Sequence, residues 1–398
     1  MTSRENGPWT VVILLSIAFV LNYIDRQVVF AIFPVLREDM SFSATQLGLA
    51  GSVFTWTYSL GMPFAGRLAD VIPRHRLIIL SLILWSLATI GTGISRDFTE
   101  FIISRVLMGL SESLYSPAAM SLIARFHTNR TRSRALSVHG LAQFVGITFG
   151  GWYGGWTAEN IGWRTGLVIL ALIGIGYAVV LGKFLRDSPE DTTETSIKSS
   201  PLKLLTSLNF CFCAMLWMLY AWLPTYIFDT FNLSLAQSGL VATLYLQSSS
   251  AVGVLSGGLL GDYFAKTNPI GRFRVLTAGL FIAAPFAFFI FEVQSLTLLK
   301  LSACGFGLFT GLFIANMFSS VYDLVEKNNY GLAVGLINML GGLGAGAAIL
   351  VTGMFREMMT FASLMMWATL SSMIASVWLA YVIHRYFVGK DILSEINR

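Results

Sequence analysis

Apolar residues along this chain come in long runs rather than in the short alternations of a sheet or the stripes of a soluble helix. The first run covers residues 8–36. Others begin near Thr45, Leu77, Phe98, Arg132, Trp163, Leu202, Ala236, Arg272, Leu296, Tyr330 and Phe361. Each is long enough to cross a hydrocarbon core of ~30 Å with some tilt. The pattern predicts twelve transmembrane helices. Gly and Pro inside the runs do not argue against them, because membrane helices tolerate both. The first run lacks a small-residue cleavage site and is expected to be a retained span.

Residues 187–200 break the pattern with a stretch of Ser, Thr and acids. It divides the chain into a six-span bundle over 1–186, a linker over 187–200 and a second six-span bundle over 201–398. A repeat supports the division. Gly66-Arg-Leu-Ala-Asp70, followed by Arg74 and Arg76, falls between spans 2 and 3. Gly258-Leu-Leu-Gly-Asp262, followed by Arg272 and Arg274, falls between spans 8 and 9. Two such loops six spans apart are a transporter signature. Gly66 and Gly258 are expected to let helices approach closely. Asp70 and Asp262 are expected to pair with the bases or with a helix N-terminus, as a gating clamp or a structural turn.

Composition agrees. Hydrophobic residues make up 55 % of the 398 and charged residues 12 %, against roughly 25 % charged in soluble domains. Mean hydropathy is +0.70. Too few charges remain to cover a soluble surface, which excludes a soluble enzyme or a disordered regulator. The net charge of +5 is topological. Nineteen of the 26 Lys and Arg lie on the side of the termini, five on the other, and Arg26 and Arg105 within spans. The positive-inside rule then places both termini in the cytoplasm. No nucleic-acid partner is expected. Cys211, Cys213 and Cys304 all sit in apolar runs and read as packing residues. There is no metal spacing, nucleotide motif or nucleophile with its base, so neither cofactor, metal nor catalytic residue is expected.

The candidate chemistry is a set of charges deep in the first bundle: Asp25 and Arg26 in span 1, Arg105 and Glu112 in span 4. Each costs at least ~2.5 kcal/mol at a bilayer centre unless paired or hydrated. Arg105 and Glu112 are two turns apart and share a face; Asp25 and Arg26 diverge by ~100°. Two ion pairs stitching spans 1 and 4 are one expectation. The other is function: Asp25 and Glu112 bind and release protons, Arg26 and Arg105 tune them, and one arginine holds an anionic substrate through its two-pronged guanidinium. Gln143 in span 5 and Asn338 in span 11 are amides in apolar or glycine-rich runs near corresponding places of the repeat, where a midplane site is expected. The same amides suit interhelical hydrogen bonding. Tyr115, Gln247, Trp217 and Asn316 are weaker candidates, with packing favoured. His139 is read as a neutral, hydrogen-bonded histidine. The glycines from Gly146 to Gly155 are read as a close helix-packing face.

These motifs carry a resemblance. Over nearly its whole length the chain resembles the major facilitator superfamily, with Gly66 to Arg76 similar to its signature loop except at Val71 and Pro73. Asn22-Tyr-Ile-Asp25-Arg26, Arg105-x6-Glu112 and Trp222-Leu-Pro-Thr-Tyr226 resemble motifs of its anion:cation symporter family, which includes bacterial proton-coupled sugar-acid transporters and sialin-like organic anion transporters. The resemblance implies two pseudo-symmetric six-helix bundles, and import of a sugar acid or related monocarboxylate with protons by alternating access. It also implies a monomer in a bacterial inner membrane. Arg26 would meet the carboxylate, and Tyr58, Gln143 and Asn338 the hydroxyls, although Tyr58 equally suits packing. Spinster-like lysolipid transporters share the Asp-Arg and Arg-x6-Glu elements, so an amphiphile carrier is the alternative. A receptor without transport is a third, disfavoured by the short tail after span 12. Ser113-Leu-Tyr115-Ser-Pro117 departs from the family pattern, in which Pro follows Glu-Ala closely.

Overall fold

The computed structural model describes residues 7–128, 131–186, 200–268, 270–322 and 330–396. It is helical throughout. Fourteen helices follow in order: α1 Pro8–Ala31, α2 Phe33–Asp39, α3 Ala44–Val71, α4 Arg74–Ile94, α5 Phe98–Ser113, α6 Tyr115–Phe126, α7 Arg132–Asn160, α8 Trp163–Phe184, α9 Ser200–Phe231, α10 Leu235–Thr267, α11 Gly271–Glu292, α12 Leu296–Tyr322, α13 Tyr330–Phe355 and α14 Phe361–Ile396. Their starts fall close to the predicted ones.

Two predicted spans are each broken into two helices. Span 1 breaks at Ile32, between α1 and α2, and span 4 at Leu114, between α5 and α6. Each break lies within the four residues before a proline, Pro34 and Pro117. A proline lacks the N–H for the bond to residue i−4, and its ring crowds that carbonyl. Pro63, Pro224 and Pro285 stay inside continuous helices. Counting each broken pair as one rod gives twelve helical rods among the described residues, consistent with the predicted number of spans. Among the described residues, nine helices are individually long and apolar enough to cross a membrane. α5 and α6 are each too short alone, and α3 and α7 are rich in Ser, Thr and Gly.

The repeat is visible in the backbone. Ser43 and Gln46 form a capping box at the start of α3, each side chain bonding the other's backbone N–H. Ser234 and Gln237 make the same reciprocal bonds at the start of α10. The residue before each box that turns the chain, Ser41 or Asn232, has φ near +50°. Equivalent turns thus open equivalent helices in the two halves of the sequence.

The chain packs as two compact units. The first holds Met1–Thr192 with Tyr220–Thr243 and Ile349–Phe355; the second holds Thr193–Leu219, Leu244–Ala348 and Arg356–Arg398. The polar linker predicted at 187–200 lies, but for Ser200, outside the described residues.

In the first unit, Leu15, Trp85, Tyr115, Leu122 and Leu181 belong to one buried cluster drawn from α1, α4, α6 and α8. α7 packs on α1 through small residues. A Cβ added to Gly150 would meet Ile24 and Gln27, and one added to Gly154 would meet Val28 and Ala31. One residue further round, Gly151 and Gly155 take the backbone of α10 at Gly239 and Leu235. The glycine face expected over 146–155 is therefore a two-sided packing surface. α3 meets α13 in the same way, Gly48 lying against Ile349 and Gly353. Gln27 donates to the Tyr220 carbonyl (3.1 Å), Trp222 to the Ile349 carbonyl (3.2 Å), and Arg37 binds Asp229 through two hydrogen bonds of 2.9 and 3.1 Å.

In the second unit, polar side chains tie neighbouring helices. Asn209 of α9 donates to the Ile337 carbonyl of α13, Asn316 of α12 to the Gly257 carbonyl of α10, and Thr369 of α14 to the Ala284 carbonyl of α11. Asn316 is thus a packing residue. Gly66 and Gly258 do not serve the close approach expected of them: a Cβ at either would meet nothing within 4 Å. In α10 that role falls to Gly257, which faces Leu312 and Ala315.

Candidate functional site

The four intramembrane charges converge inside the first unit. Arg26, on the last turns of α1, donates from Nε to Glu112 Oε2 at 2.7 Å. The pair is buried, with side chains 4 % and 0 % exposed. The Arg26 guanidinium carbon lies 4.1 Å from the Tyr58 ring centre, 4.8 Å from Tyr23 and 5.3 Å from Phe54. Aromatic faces are favourable neighbours for a cation that cannot be solvated. Tyr58 in turn bonds Ser116 at 3.2 Å. Spare capacity remains: Arg26 Nη2 is buried without a hydrogen-bond partner, and the Asn22 amide, one turn before Arg26, faces Glu112.

Asp25 points elsewhere, as the angular separation from Arg26 requires. It is 3 % exposed, and its Oδ1 is 2.8 Å from the hydroxyl of Thr89 on α4. Among the described residues it makes no ion pair. Arg105 is the complementary case. Its Nε reaches the Ala50 carbonyl at 3.4 Å, Nη1 the Met108 sulfur at 3.0 Å, and its guanidinium lies 4.5 Å from the Phe54 ring centre. Nη2 has no partner and no carboxylate lies within salt-bridge distance among the described residues. The expectation of two direct ion pairs between spans 1 and 4 is therefore met by one, Arg26–Glu112. Asp25 and Arg105 balance each other only through space.

This arrangement has a chemical consequence. With both acids ionised the quartet is neutral. One proton on Asp25 leaves a net positive charge around Arg105 and Arg26, in a setting where bound charge must be compensated. The site can thus take up a proton and an anion together and return to neutrality.

The other predicted residues fall as follows. Gln143 on α7 is half-buried in the first unit, and Asn338 on α13 is half-buried in the second. Tyr115 sits just after the break in span 4, fully buried, its hydroxyl donating to the Leu15 carbonyl. The Ser113–Pro117 departure is therefore a helix break anchored to α1. His139 is not hydrogen-bonded as expected: its ring stacks on Phe19 at 4.4 Å and Nδ1 has no partner. Gln247 is buried with both amide atoms unpartnered. In the loop motifs, Arg74 donates to Ser121 at 2.8 Å, Arg76 is exposed, and Asp262 pairs with Arg272 at 2.8 Å. The Asp70 side chain lies outside the described residues.

Two partnerships escaped the sequence reading. Arg37 and Asp229 are 192 residues apart, the same separation as Asp70 and Asp262, so the pair joins equivalent places of the repeat, although equivalence alone predicts no contact. Thr89 gave no signal, being one hydroxyl among many.

A sequence profile of the Major Facilitator Superfamily matches residues 15–349 and 205–391. The hexuronate transporter of Bacillus subtilis is 26 % identical over 367 residues, covering 85 % of each chain. Protein spinster homolog 1 of Xenopus tropicalis is 28 % identical over 312 residues, covering 70 % of this chain and 59 % of that protein. Among solved structures, a bacterial homolog of the human lysosomal transporter Spinster superposes with a TM-score of 0.81 at 20 % identity, covering 97 % of this chain and 99 % of the other.

Proposed function

The chain belongs to the Major Facilitator Superfamily, and on that premise we propose that it is a proton-coupled symporter of a small organic anion, a sugar acid or related monocarboxylate. It is a multi-pass membrane protein and not an enzyme. The observation that carries the proposal is the unequal pairing of the quartet: Glu112 is bonded to Arg26, whereas Asp25 has a hydroxyl for a partner and Arg105 has no acid. Asp25 is then the acid freest to change protonation state.

In the proposed cycle a proton from outside neutralises Asp25. The positive charge left on the arginines favours entry of one anion. The substrate carboxylate engages Arg26 through the unpartnered Nη2, and Glu112 takes a second proton or shares the guanidinium. Tyr58, Gln143 and Asn338 are the proposed partners of substrate hydroxyls. Alternating access then exposes the site to the cytoplasm, where the anion and every proton taken up leave, so that both acids are ionised again. The excess of Lys and Arg on the side of the termini supports cytoplasmic termini, and the likeness to a transporter of Bacillus subtilis supports a bacterial plasma membrane. Gly66, Asp70, Arg74, Arg76 and Asp262 are proposed to gate that side.

The likeness to the hexuronate transporter favours a hydroxylated acid. The likeness to a spinster homologue supports a second reading, an amphiphile carrier using the same charges. The two separate on thermal stabilisation of purified protein by sugar acids and by lysophospholipids, at acidic and neutral pH. Stabilisation by one sugar acid, dependent on pH and lost in Arg26→Ala, is the expected result. Stabilisation by lysolipids alone would overturn the sugar-acid reading.

A further inference from the structure

Many Ser and Thr hydroxyls here bond back to a carbonyl of their own helix, as Ser52, Thr55 and Thr92 do. Thr89 does so too, its Oγ1 lying 3.0 Å from the Trp85 carbonyl. It is set apart by a second partner, Asp25 Oδ1 at 2.8 Å. Among the described residues, no other hydroxyl bonds both its own helix and a buried carboxyl group.

A hydroxyl has one proton to give and lone pairs to receive. It cannot donate to Trp85 and to Asp25 at once. When Asp25 is ionised, Thr89 donates to the carboxylate, a charge-assisted bond. When Asp25 is protonated, the acid donates to Thr89 Oγ1 and Thr89 turns its own proton to the Trp85 carbonyl. In both states the Thr89 hydroxyl has an acceptor for its proton and the Asp25–Thr89 bond is kept at the observed heavy-atom positions. The exchange needs a rotation about the Thr89 C–O bond and no movement of α1 or α4.

We propose that Thr89 is a positioning residue for the coupled proton: it satisfies Asp25 in both protonation states and sets the pH at which the two interconvert. The inference rests on the reading of Asp25 as the coupling acid. The other groups facing Asp25 are Glu112 and Arg105 on α5, the Trp85 indole on α4 and Tyr153 on α7, with Arg26 next to it on α1. None of them offers a donor that becomes an acceptor by a bond rotation while already held at hydrogen-bond distance.

The test is infrared difference spectroscopy on the purified full-length protein in lipid, titrated with pH and with no substrate added. The Asp25 carboxyl band is the one lost in Asp25→Asn. In Thr89→Val the ionised form loses a charge-assisted bond and the protonated form a weaker neutral one. The midpoint is expected to move about one pH unit upward, a tenfold gain in proton affinity, and the protonated carbonyl band to shift. Thr89→Ser keeps the hydroxyl and is expected to restore both. If Thr89→Val does not fold, Thr89→Ala removes the same hydroxyl with less bulk. A titrating Asp25 whose midpoint and band ignore the loss of the hydroxyl would overturn the inference alone. An Asp25 that holds one protonation state throughout would overturn the coupling reading, and the inference with it.

Discussion

The Arg26–Glu112 pair allows stability and function to be separated. Substituting Arg26→Met leaves Glu112, fully buried, without the guanidinium that bonds it at 2.7 Å. Removing one partner of a buried pair typically costs about 3–5 kcal/mol, because the remaining charge has lost its compensation. Protonation of Glu112 relieves part of that cost, so the loss should be largest at high pH and shrink as pH falls. The double variant Arg26→Met with Glu112→Leu removes both charges and fills the space with apolar atoms among Tyr23, Phe54 and Tyr58. Such replacements are commonly neutral or stabilising by about 1–4 kcal/mol. Thermal unfolding in detergent across pH is expected to show the single variant weakened and the double variant at or above wild type, while the double variant transports nothing. A double variant that is both stable and fully active in proton-driven uptake would refute the reasoning, since the pair would then be structural.

Two further predictions concern the packing of the first unit. Arg37 and Asp229 occupy repeat-equivalent positions and are joined by two hydrogen bonds while partly exposed, so the pair should contribute at most ~1 kcal/mol. Arg37→Asp or Asp229→Arg alone is expected to alter exchange rate several-fold. The charge swap combining them is expected to recover it, and a swap no better than either single change would contradict a direct pair. At Gly155 a Cβ would collide with the backbone of Leu235. Gly155→Ala should therefore impair exchange with the fold retained by circular dichroism, whereas Gly176→Ala, which meets nothing within 4 Å, should be neutral in the same assay.

The positions of the helices were legible because lipid imposes a length and a composition that few other constraints disturb. The breaks at Ile32 and Leu114 were less so. A proline in a membrane helix is often absorbed, as at Pro63, Pro224 and Pro285, and sequence does not say which will break the rod. The charged quartet was visible because an ion in an apolar run is costly unless paired or hydrated, so it marks either an ion pair or a functional site. Its pairing was not, because an angle of ~100° between neighbours does not say which acid meets which base. Thr89 was invisible for the opposite reason: a hydroxyl in a helix is ordinary until a carboxyl group on another helix comes within 2.8 Å. Asn316 and Tyr115, weak candidates for which packing is the favoured reading, do have structural tasks.

The central claim is that Asp25 carries the proton that drives uptake. The most direct measurement reconstitutes wild type and Asp25→Asn in liposomes with an inside-alkaline pH gradient and follows the sugar acid selected by the binding panel. The account predicts that wild type accumulates the acid against its gradient. Asp25→Asn should exchange internal for external substrate but accumulate none. Accumulation by Asp25→Asn at the wild-type level would contradict the account.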